Sequence, residues 1–380
     1  MKLSLFRHDL AKGWSDEFPA LDSPSTLVIV FGAPEYRDDE TALHELKAAF
    51  PTSLIVGCST AGEIFETKIY DRSLAVAVAR FERSRIRHTA IPIASASESA
   101  SAGAALAESL AGDNLKGVFV LSDGLLVNGS ELVRGLASKL PEGVVVTGGL
   151  AGDGPRFEKT WVLREGALTS DSVSAVGLYG DQLHIGHGSH GGWDPFGPRR
   201  QVTRAEGNVL FELDGRPALE LYKEYLGERA EGLPATGLLF PLALLDNSKG
   251  ESQIIVRTIL GIDEAQNSLT FAGDIPNGAR VQLMKANFDR LIEGAEEAAE
   301  GAGKGARDSD ERTLAIAISC VGRRLVLSER TEEEVEATLD VLPDNCRQIG
   351  FYSYGEISPT ASGHCELHNQ TMTLTTIREG

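Results

Sequence analysis

The chain contains the stretch Gly57-Cys58-Ser59-Thr60-Ala61-Gly62-Glu63-Ile64 directly after a short, mostly apolar run at residues 53–56. Such a run, ended by glycine and small residues, is typical of a buried strand. Nearly three hundred residues later the chain contains Gly350-Phe351-Tyr352-Ser353-Tyr354-Gly355-Glu356-Ile357. Glycine, a hydroxyl residue, glycine, glutamate and isoleucine match in register. We therefore expect the two stretches to be equivalent loops of a repeated unit.

The unit around these loops occurs three times in the sequence. In each copy an apolar run is followed by a helical pattern, a proline, a second apolar run and a loop that contains glycine. The remaining loop is Thr147-Gly148-Gly149-Leu150-Ala151-Gly152-Asp153. The predicted strands are residues 26–32, 54–56, 117–121, 144–146, 313–318 and 347–349, and the predicted helices are residues 38–50, 130–140 and 332–342. We place the N-cap of the second helix at Ser130.

This order of elements predicts the fold class. A strand, a crossover helix and a second strand form a βαβ unit, in which the two strands are parallel. We therefore expect an α/β fold, with α+β as the alternative, in which mixed, partly parallel sheets are built from repeated strand–helix–strand units. Parallel sheets bind ligands at the carboxyl ends of their strands, and all three glycine loops follow such ends.

The size and composition of the chain indicate a two-domain globular protein. A chain of 380 residues is too long for one ordinary core, and we place the domains at residues 25–192 and 200–376. The formal net charge of −19 argues against nucleic-acid and anionic-membrane partners. Four scattered cysteines indicate reduced thiols, the N-terminus does not read as a signal peptide, and no apolar run approaches the roughly 20 residues of a membrane helix. We expect a soluble, cytoplasmic protein without membrane insertion.

The glycine loops are the candidate binding elements. Glycines let a ligand approach the backbone, exposed amides accept a carboxylate or phosphate, and nearby carboxylates can hold an ammonium group. Together these groups suit a zwitterion such as an amino acid. The alternative is that the acidic residues cap helices or bind loop amides. The candidate ligand-binding residues are Cys58, Ser59, Thr60, Glu63, Asp123, Asn128, Gly149, Asp153, Tyr352, Ser353, Glu356, His368 and Asn369.

Two other kinds of site remain as alternatives. Cys58 or Thr60 stands at a strand end where an enzyme nucleophile could lie, but no histidine is adjacent in sequence and no familiar catalytic motif is present. We therefore expect no enzyme. Three histidines follow one another at spacings of three, without a local cysteine or carboxylate to complete a metal site. His190 or His187 could serve as a haem ligand; otherwise we expect neither metal nor cofactor.

Several of these motifs together resemble the FIST family. The N-terminal half of that family is matched by the Gly57 stretch, by Asp123-Gly124-Leu125 with Asn128-Gly129, and by Gly148-Gly149-Leu150-Ala151-Gly152-Asp153-Gly154, within residues 25–192. Its C-terminal half is matched by Asp274-Ile275-Pro276-Asn277-Gly278, by the Gly350 stretch and by His368-Asn369-Gln370-Thr371, within residues 200–376.

The resemblance implies a function in signal transduction. FIST proteins are described as intracellular sensory modules for small ligands, suggested to be amino acids, and they are often joined to signalling output domains. Some members bind haem and sense nitric oxide. The resemblance therefore implies a sensory protein that binds a small metabolite, with a haem-binding nitric-oxide sensor as the alternative. Because the two halves fill the chain, we expect the output to lie in a separate partner protein such as a histidine kinase.

Overall fold

The structure is a computed structural model, and it describes residues 1–246, 253–304, 311–360 and 363–380. Its first repeat holds the strands β1 (Lys2–Asp9), β2 (Gly13–Trp14), β3 (Thr26–Gly32), β4 (Leu54–Ser59), β5 (Glu63–Phe65), β6 (Lys68–Tyr70) and β7 (Ser73–Arg80), with the helix α1 (Thr41–Ala49). The second repeat holds β8 (Arg85–Pro92), α2 (Ser99–Leu110), β9 (Leu115–Ser122), α3 (Gly129–Ala137), β10 (Val145–Leu150), β11 (Val162–Arg164), β12 (Ala167–Thr169) and β13 (Ser172–Tyr179).

The third repeat is interrupted by an inserted sheet. It begins with β14 (Leu183–His190). The inserted part holds β15 (Asp194–Glu206), β16 (Val209–Leu213), β17 (Arg216–Pro217), α4 (Ala218–Leu226), β18 (Leu242–Asp246), β19 (Gln253–Arg257), β20 (Ile259–Asp263), β21 (Ser268–Phe271) and β22 (Arg280–Lys285). The repeat then continues with α5 (Phe288–Gly303), β23 (Thr313–Cys320), α6 (Val321–Leu327), α7 (Thr331–Asp340), β24 (Cys346–Ser353), β25 (Gly355–Pro359), β26 (Cys365–His368) and β27 (Met372–Glu379).

Each repeat contributes one mixed sheet with a parallel pair near its centre. The pairs are β3 with β4, β9 with β10, and β23 with β24. The strand orders are β12-β11-β4-β3-β7-β1-β2 in the first sheet, β26-β25-β10-β9-β13-β8 in the second and β14-β27-β23-β24-β5-β6 in the third. The predicted α/β fold with partly parallel sheets and repeated strand–helix–strand units is confirmed.

The hairpin after each glycine loop leaves its own sheet and joins another. The hairpin β5–β6 extends the third sheet, β11–β12 extends the first, and β25–β26 extends the second. The three repeats are thereby linked in a closed cycle. Strands from both predicted segments, 25–192 and 200–376, share the second and third sheets, whereas strands β15 to β22 form a separate sheet.

One apolar core lies between the three sheets. Buried side chains from β3, β9, β23 and β24 belong to the same cluster, and the rings of Phe31 and Phe351 lie 4.6 Å apart. The opposite faces of the sheets are covered by helices: α1 packs on the first sheet, α2 and α3 on the second, and α5 and α7 on the third. Because both faces are covered, the central strands are continuously apolar rather than alternating.

Candidate functional site

The three glycine loops meet at one point and bond directly to one another. Each loop donates one backbone N–H to a carbonyl of another loop, so that the three bonds form a closed ring. The bonds run from Ala61 N to Tyr352 O (2.8 Å), from Gly152 N to Ser59 O (3.0 Å) and from Tyr354 N to Leu150 O (3.2 Å). These amides are therefore already satisfied by protein carbonyls and do not form an open cradle for a carboxylate.

The glycines of the loops are explained by this close packing. A Cβ atom added at Gly148 would lie 1.8 Å from Val120 O, and one added at Gly350 would lie 1.8 Å from Ala317 O. Both carbonyls belong to the paired parallel strand. Gly149 faces the core, where an added Cβ would lie 3.0 Å from Ile318. At these three glycines the space beside the Cα atom is taken by neighbouring protein atoms rather than left for a ligand.

The acidic residue of the first loop is directed inward. Glu63 is 1% exposed. Its carboxyl group accepts hydrogen bonds from Thr60 Oγ1, from the Ser73 amide at 3.0 Å and from Ser73 Oγ at 2.8 Å. Burial raises its pKa from 4.5 to about 8, although these hydrogen bonds act in the opposite direction.

Glu356 has the same arrangement in the third loop. It is fully buried and accepts hydrogen bonds from Ser353 Oγ at 2.7 Å and from the Thr371 amide at 3.3 Å. Burial again raises the pKa of the carboxyl group to about 8. Each glutamate thus accepts a hydrogen bond from a hydroxyl three residues earlier and another from a backbone amide at or just before the start of a later strand. Neither carboxyl group is left free for an ammonium group.

Asp153 in the second loop organises the chain that follows it. Its carboxylate accepts the amides of Phe157, Glu158 and Lys159 at 2.8–3.0 Å and the hydroxyl of Tyr354. The residue is 1% exposed. These contacts agree with the alternative in which the acidic residues bind loop amides.

Asp123 plays a similar part at the end of β9. It accepts the amides of Leu125 at 2.8 Å and Leu126 at 2.6 Å, and the hydroxyl of Thr160 at 2.7 Å. Asn128 is the N-cap of α3, since its side chain accepts the amide of Glu131 at 3.1 Å. The predicted N-cap was Ser130, so the helix begins earlier than its sequence pattern indicated.

The other predicted site residues are also buried. Cys58 is inaccessible and burial raises the pKa of its thiol well above the ordinary value. Ser59 Oγ accepts the Trp161 amide at 2.9 Å, and the Tyr352 hydroxyl donates to Glu334 at 2.8 Å.

Near the end of β26, the His368 ring lies 3.0 Å from Ser358 O. Burial lowers the pKa of this imidazole to about 4. The Asn369 amide donates to His368 O at 2.9 Å. These two residues are therefore held by internal contacts as well.

The candidate haem ligands lie on β14. His190 Nε2 is 2.8 Å from a carboxylate oxygen of Glu297 on α5. Burial lowers the pKa of His187, which lines a cavity shared with three cationic side chains, Lys116, Lys304 and Arg378. The same cavity is also lined by apolar side chains, among them Val145, Leu183 and Ile185. Over the described residues, no cluster of His, Cys, Asp or Glu has the geometry to hold a metal ion.

A different cavity lies between the repeats and the inserted sheet. Its volume is about 630 Å³. The repeats contribute α3 and the start of β26, and the inserted part contributes β18, β19 and the loop before β22. Its wall combines apolar, cationic and acidic side chains: Val133, Arg134, Leu244, Ile255, Arg257, Asp274 and Glu366. Among the predicted site residues, Asn128 reaches this wall, because its side-chain amide lies 3.2 Å from Asp274 Oδ1.

Arg257 and Arg134 were not among the predicted residues. Arg257 ends the apolar strand pattern Ile254-Ile255-Val256, and a charged residue in that position is the one local signal that could have found it. Arg134 is an ordinary exposed position of an amphipathic helix, and only the packing of the inserted sheet against α3 brings it to the cavity.

Comparison with known protein families identifies the family of this chain. The FIST N domain model matches residues 26–216 and the FIST C domain model matches residues 218–359. The chain belongs to the FIST family. FIST domains are associated with sensory signal transduction. The division between the two FIST models falls inside the inserted sheet, at β17.

Two curated relatives carry the name "uncharacterized protein". One, from Methanocaldococcus jannaschii, is 26% identical over 82% of this chain and 65% of its own length. Another, from Mycobacterium tuberculosis, is 27% identical over 64% of this chain and 63% of its own length. This FIST chain thus spans less than two thirds of the relatives it matches.

Among solved structures, a cyanuric acid hydrolase from A. caulinodans is 12% identical, covering 78% of this chain and 99% of its own, with a TM-score of 0.19. That score is too low to support an argument about the FIST fold. No helix within the described parts of the FIST chain has the length and apolar character needed to cross a membrane.

Proposed function

We propose that this FIST protein is an intracellular sensory module that binds a small zwitterionic metabolite, such as an amino acid, without a cofactor. In this proposal the metabolite binds in the cavity between α3, β26 and the inserted sheet, and the signal passes to a separate partner protein such as a histidine kinase. The site therefore differs from the glycine loops, whose amides and carboxyl groups bond to one another and to nearby residues.

The observation that supports this site is its mixed lining. Arg257 and Arg134 supply positive charge, Asp274 and Glu366 supply negative charge, and apolar side chains cover part of the wall. A zwitterion needs one group of each sign, and an apolar wall accepts a hydrocarbon side chain. Ligand pockets commonly have this composition and a volume of roughly 300–1,000 Å³.

The proposal assigns no catalysis to the chain. The nucleophile candidates are Cys58, whose thiol is buried with a raised pKa, and Thr60, whose hydroxyl bonds to Glu63. A nucleophile needs a base within hydrogen-bond reach and access to substrate, and these contacts favour a structural role for both residues.

Thermal unfolding with a panel of the twenty amino acids tests the proposal. A bound amino acid at 100 times its Kd stabilises the folded state by about 2.7 kcal/mol. The substitution Ala137→Trp, at an exposed position of the cavity wall, is expected to fill the site and remove this stabilisation. Ala105→Trp, on the exposed face of α2, is the matched control. A panel that produces no shift, or a shift that Ala137→Trp leaves unchanged, contradicts the proposal.

A further inference from the structure

Arg257 is a buried cation whose hydrogen-bond partners among the described residues are all backbone carbonyls. The residue is 4% exposed. Its Nε donates to Asp274 O at 3.3 Å, and its Nη1 donates to Leu367 O at 2.9 Å and to Val256 O at 3.5 Å. Among the described residues, no carboxylate forms an ion pair with it, and Nη2 has no hydrogen-bond partner. A guanidinium carries five N–H donors, so a part of its binding capacity is unused.

A second buried arginine of the same chain, Arg323, has both an ion-pair partner and hydrogen-bond partners. Arg323 and Glu334 both have fully buried side chains and lie 2.7 Å apart. Arg323 also donates to backbone carbonyls, including Leu291 O. Arg323 therefore has carbonyl partners together with an anion at ion-pair distance, whereas Arg257, over the part of the chain that the structure describes, hydrogen-bonds to carbonyls alone.

The nearby acidic residue Asp274 does not form an ion pair with Arg257. Its carboxylate oxygens lie 3.2 Å from the side-chain amide of Asn128 and 3.5 Å from Arg134, while Arg257 contacts only its backbone carbonyl. A buried cation without an anion is costly, because the lost hydration is not repaid. Burial lowers the pKa of Arg257 to about 10, although the negative charges of Glu366 and Asp274 act in the opposite direction, so the group is still charged at neutral pH.

We infer that Arg257 is the anchor for a carboxylate group of the metabolite that binds in the cavity. The two N–H groups of Nη2, which have no partner among the described residues, can donate to a carboxylate, and such charge-assisted hydrogen bonds are stronger than neutral ones. The hydrocarbon part of the metabolite then packs against Val133, Leu244 and Ile255, which line the same cavity. This inference rests on the proposed function and names the group that recognises the ligand.

The test compares carboxylates with their amides by isothermal titration calorimetry. The probes are 4-methylpentanoate and 4-methylpentanamide, and L-leucine and L-leucinamide. Each pair has the same hydrocarbon chain and differs in the carboxylate. Wild-type protein is expected to bind each carboxylate at least about tenfold more tightly than its amide, as expected for charge-assisted hydrogen bonds. Because this comparison uses unmodified protein, it does not depend on the folding of a variant.

Variants then assign the effect to Arg257. Arg257→Gln is expected to weaken carboxylate binding by at least about tenfold. Arg257→Lys, which keeps the charge but loses the planar fork, is expected to fall between wild type and Arg257→Gln. Arg83→Gln, at an exposed position away from the cavity, is the matched control and is expected to bind as wild type does.

The outcomes separate this inference from the proposed function. If leucine and leucinamide bind equally well, or Arg257→Gln binds carboxylates as wild type does, the anchor is wrong while a ligand site still stands. If 4-methylpentanoate binds through Arg257 but no amino acid binds, the anchor stands and the zwitterion proposal fails. If inorganic phosphate binds through Arg257 and neither carboxylate does, the assignment to a carboxylate is overturned.

Discussion

Replacing Glu63 by glutamine should remove a loss of stability that the wild-type protein shows as the pH rises from about 4.5 to about 8. Burial raises the pKa of the Glu63 carboxyl from 4.5 to about 8, so folding favours its protonated form. The stabilising effect of protonation is complete below pH 4.5 and is lost as the pH rises through about 8. Glutamine is neutral at every pH and keeps an oxygen that can accept from Thr60 or Ser73, the present partners of the carboxyl group.

The size of the effect follows from the pKa difference. Between these two pKa values one carboxyl group contributes a slope of about 1.4 kcal/mol per pH unit. From pH 5 to pH 7 the free energy of unfolding of wild type should therefore fall by roughly 3 kcal/mol relative to Glu63→Gln. No discount for solvent screening is needed, because the side chain is almost fully buried.

Urea unfolding at pH 5, 6, 7 and 8 measures the difference between wild type and variant. Glu142→Gln, at an exposed position, is the control and should follow wild type at each pH. A difference between wild type and Glu63→Gln that stays constant from pH 5 to pH 8 would refute the reasoning, because it would mean that the buried carboxyl group does not change its protonation on folding.

Three further predictions concern the packed core. Gly350→Ala should lower the free energy of unfolding by more than about 3 kcal/mol, because its Cβ would overlap a backbone carbonyl. The control Gly154→Ala, whose Cβ meets open space at a positive φ, should cost about 1–2 kcal/mol. Equal losses of stability for the two variants in urea titrations would contradict this prediction. Glu334→Gln should cost about 3 kcal/mol by leaving Arg323 buried without an anion, and a loss below about 1 kcal/mol would argue against that ion pair. Iodoacetamide should leave Cys58 unmodified in the folded protein and label it after denaturation, as read by mass spectrometry; rapid labelling of the folded protein would restore Cys58 as a candidate nucleophile.

The parallel strand pairs could be predicted because their signals are local. The run 26–32 is continuously apolar and is bounded by glycine, and the structure places β3 at Thr26–Gly32. The helix predicted at 332–342 corresponds to α7, Thr331–Asp340, whose end is marked by the proline at position 343. Apolar periodicity and proline stops depend on neighbouring residues only, so one sequence contains them in full.

The exchange of hairpins between sheets could not be predicted in this way. Nothing in residues 63–70 specifies that β5 pairs with β24, which lies nearly three hundred residues later. The short helix α6, Val321–Leu327, was likewise missed, because its seven residues give too little periodicity. The pairing of strands depends on how whole sheets pack together, and local sequence patterns contain no information about that packing.

The roles of the loop residues could not be predicted either, because their hydrogen-bond partners are distant in sequence. The sequence placed Glu63 and Glu356 at equivalent positions, but their partners Ser73 and Thr371 lie ten and fifteen residues further along. A carboxylate beside glycines has the same pattern whether it faces a ligand or a buried hydroxyl. Arg257 became a candidate only when folding placed it in a cavity where, among the described residues, it hydrogen-bonds to backbone carbonyls and to no carboxylate.

Hydrogen exchange with and without an amino acid from the panel shows where the ligand binds. Exchange is expected to slow on binding in the segments that line the cavity, residues 130–137, 254–257 and 364–367. No change is expected in the glycine loops, residues 57–63, 148–153 and 350–356, which are joined by the backbone hydrogen bonds of Ala61, Gly152 and Tyr354. Protection confined to the glycine loops, with the cavity segments unchanged, would contradict the account.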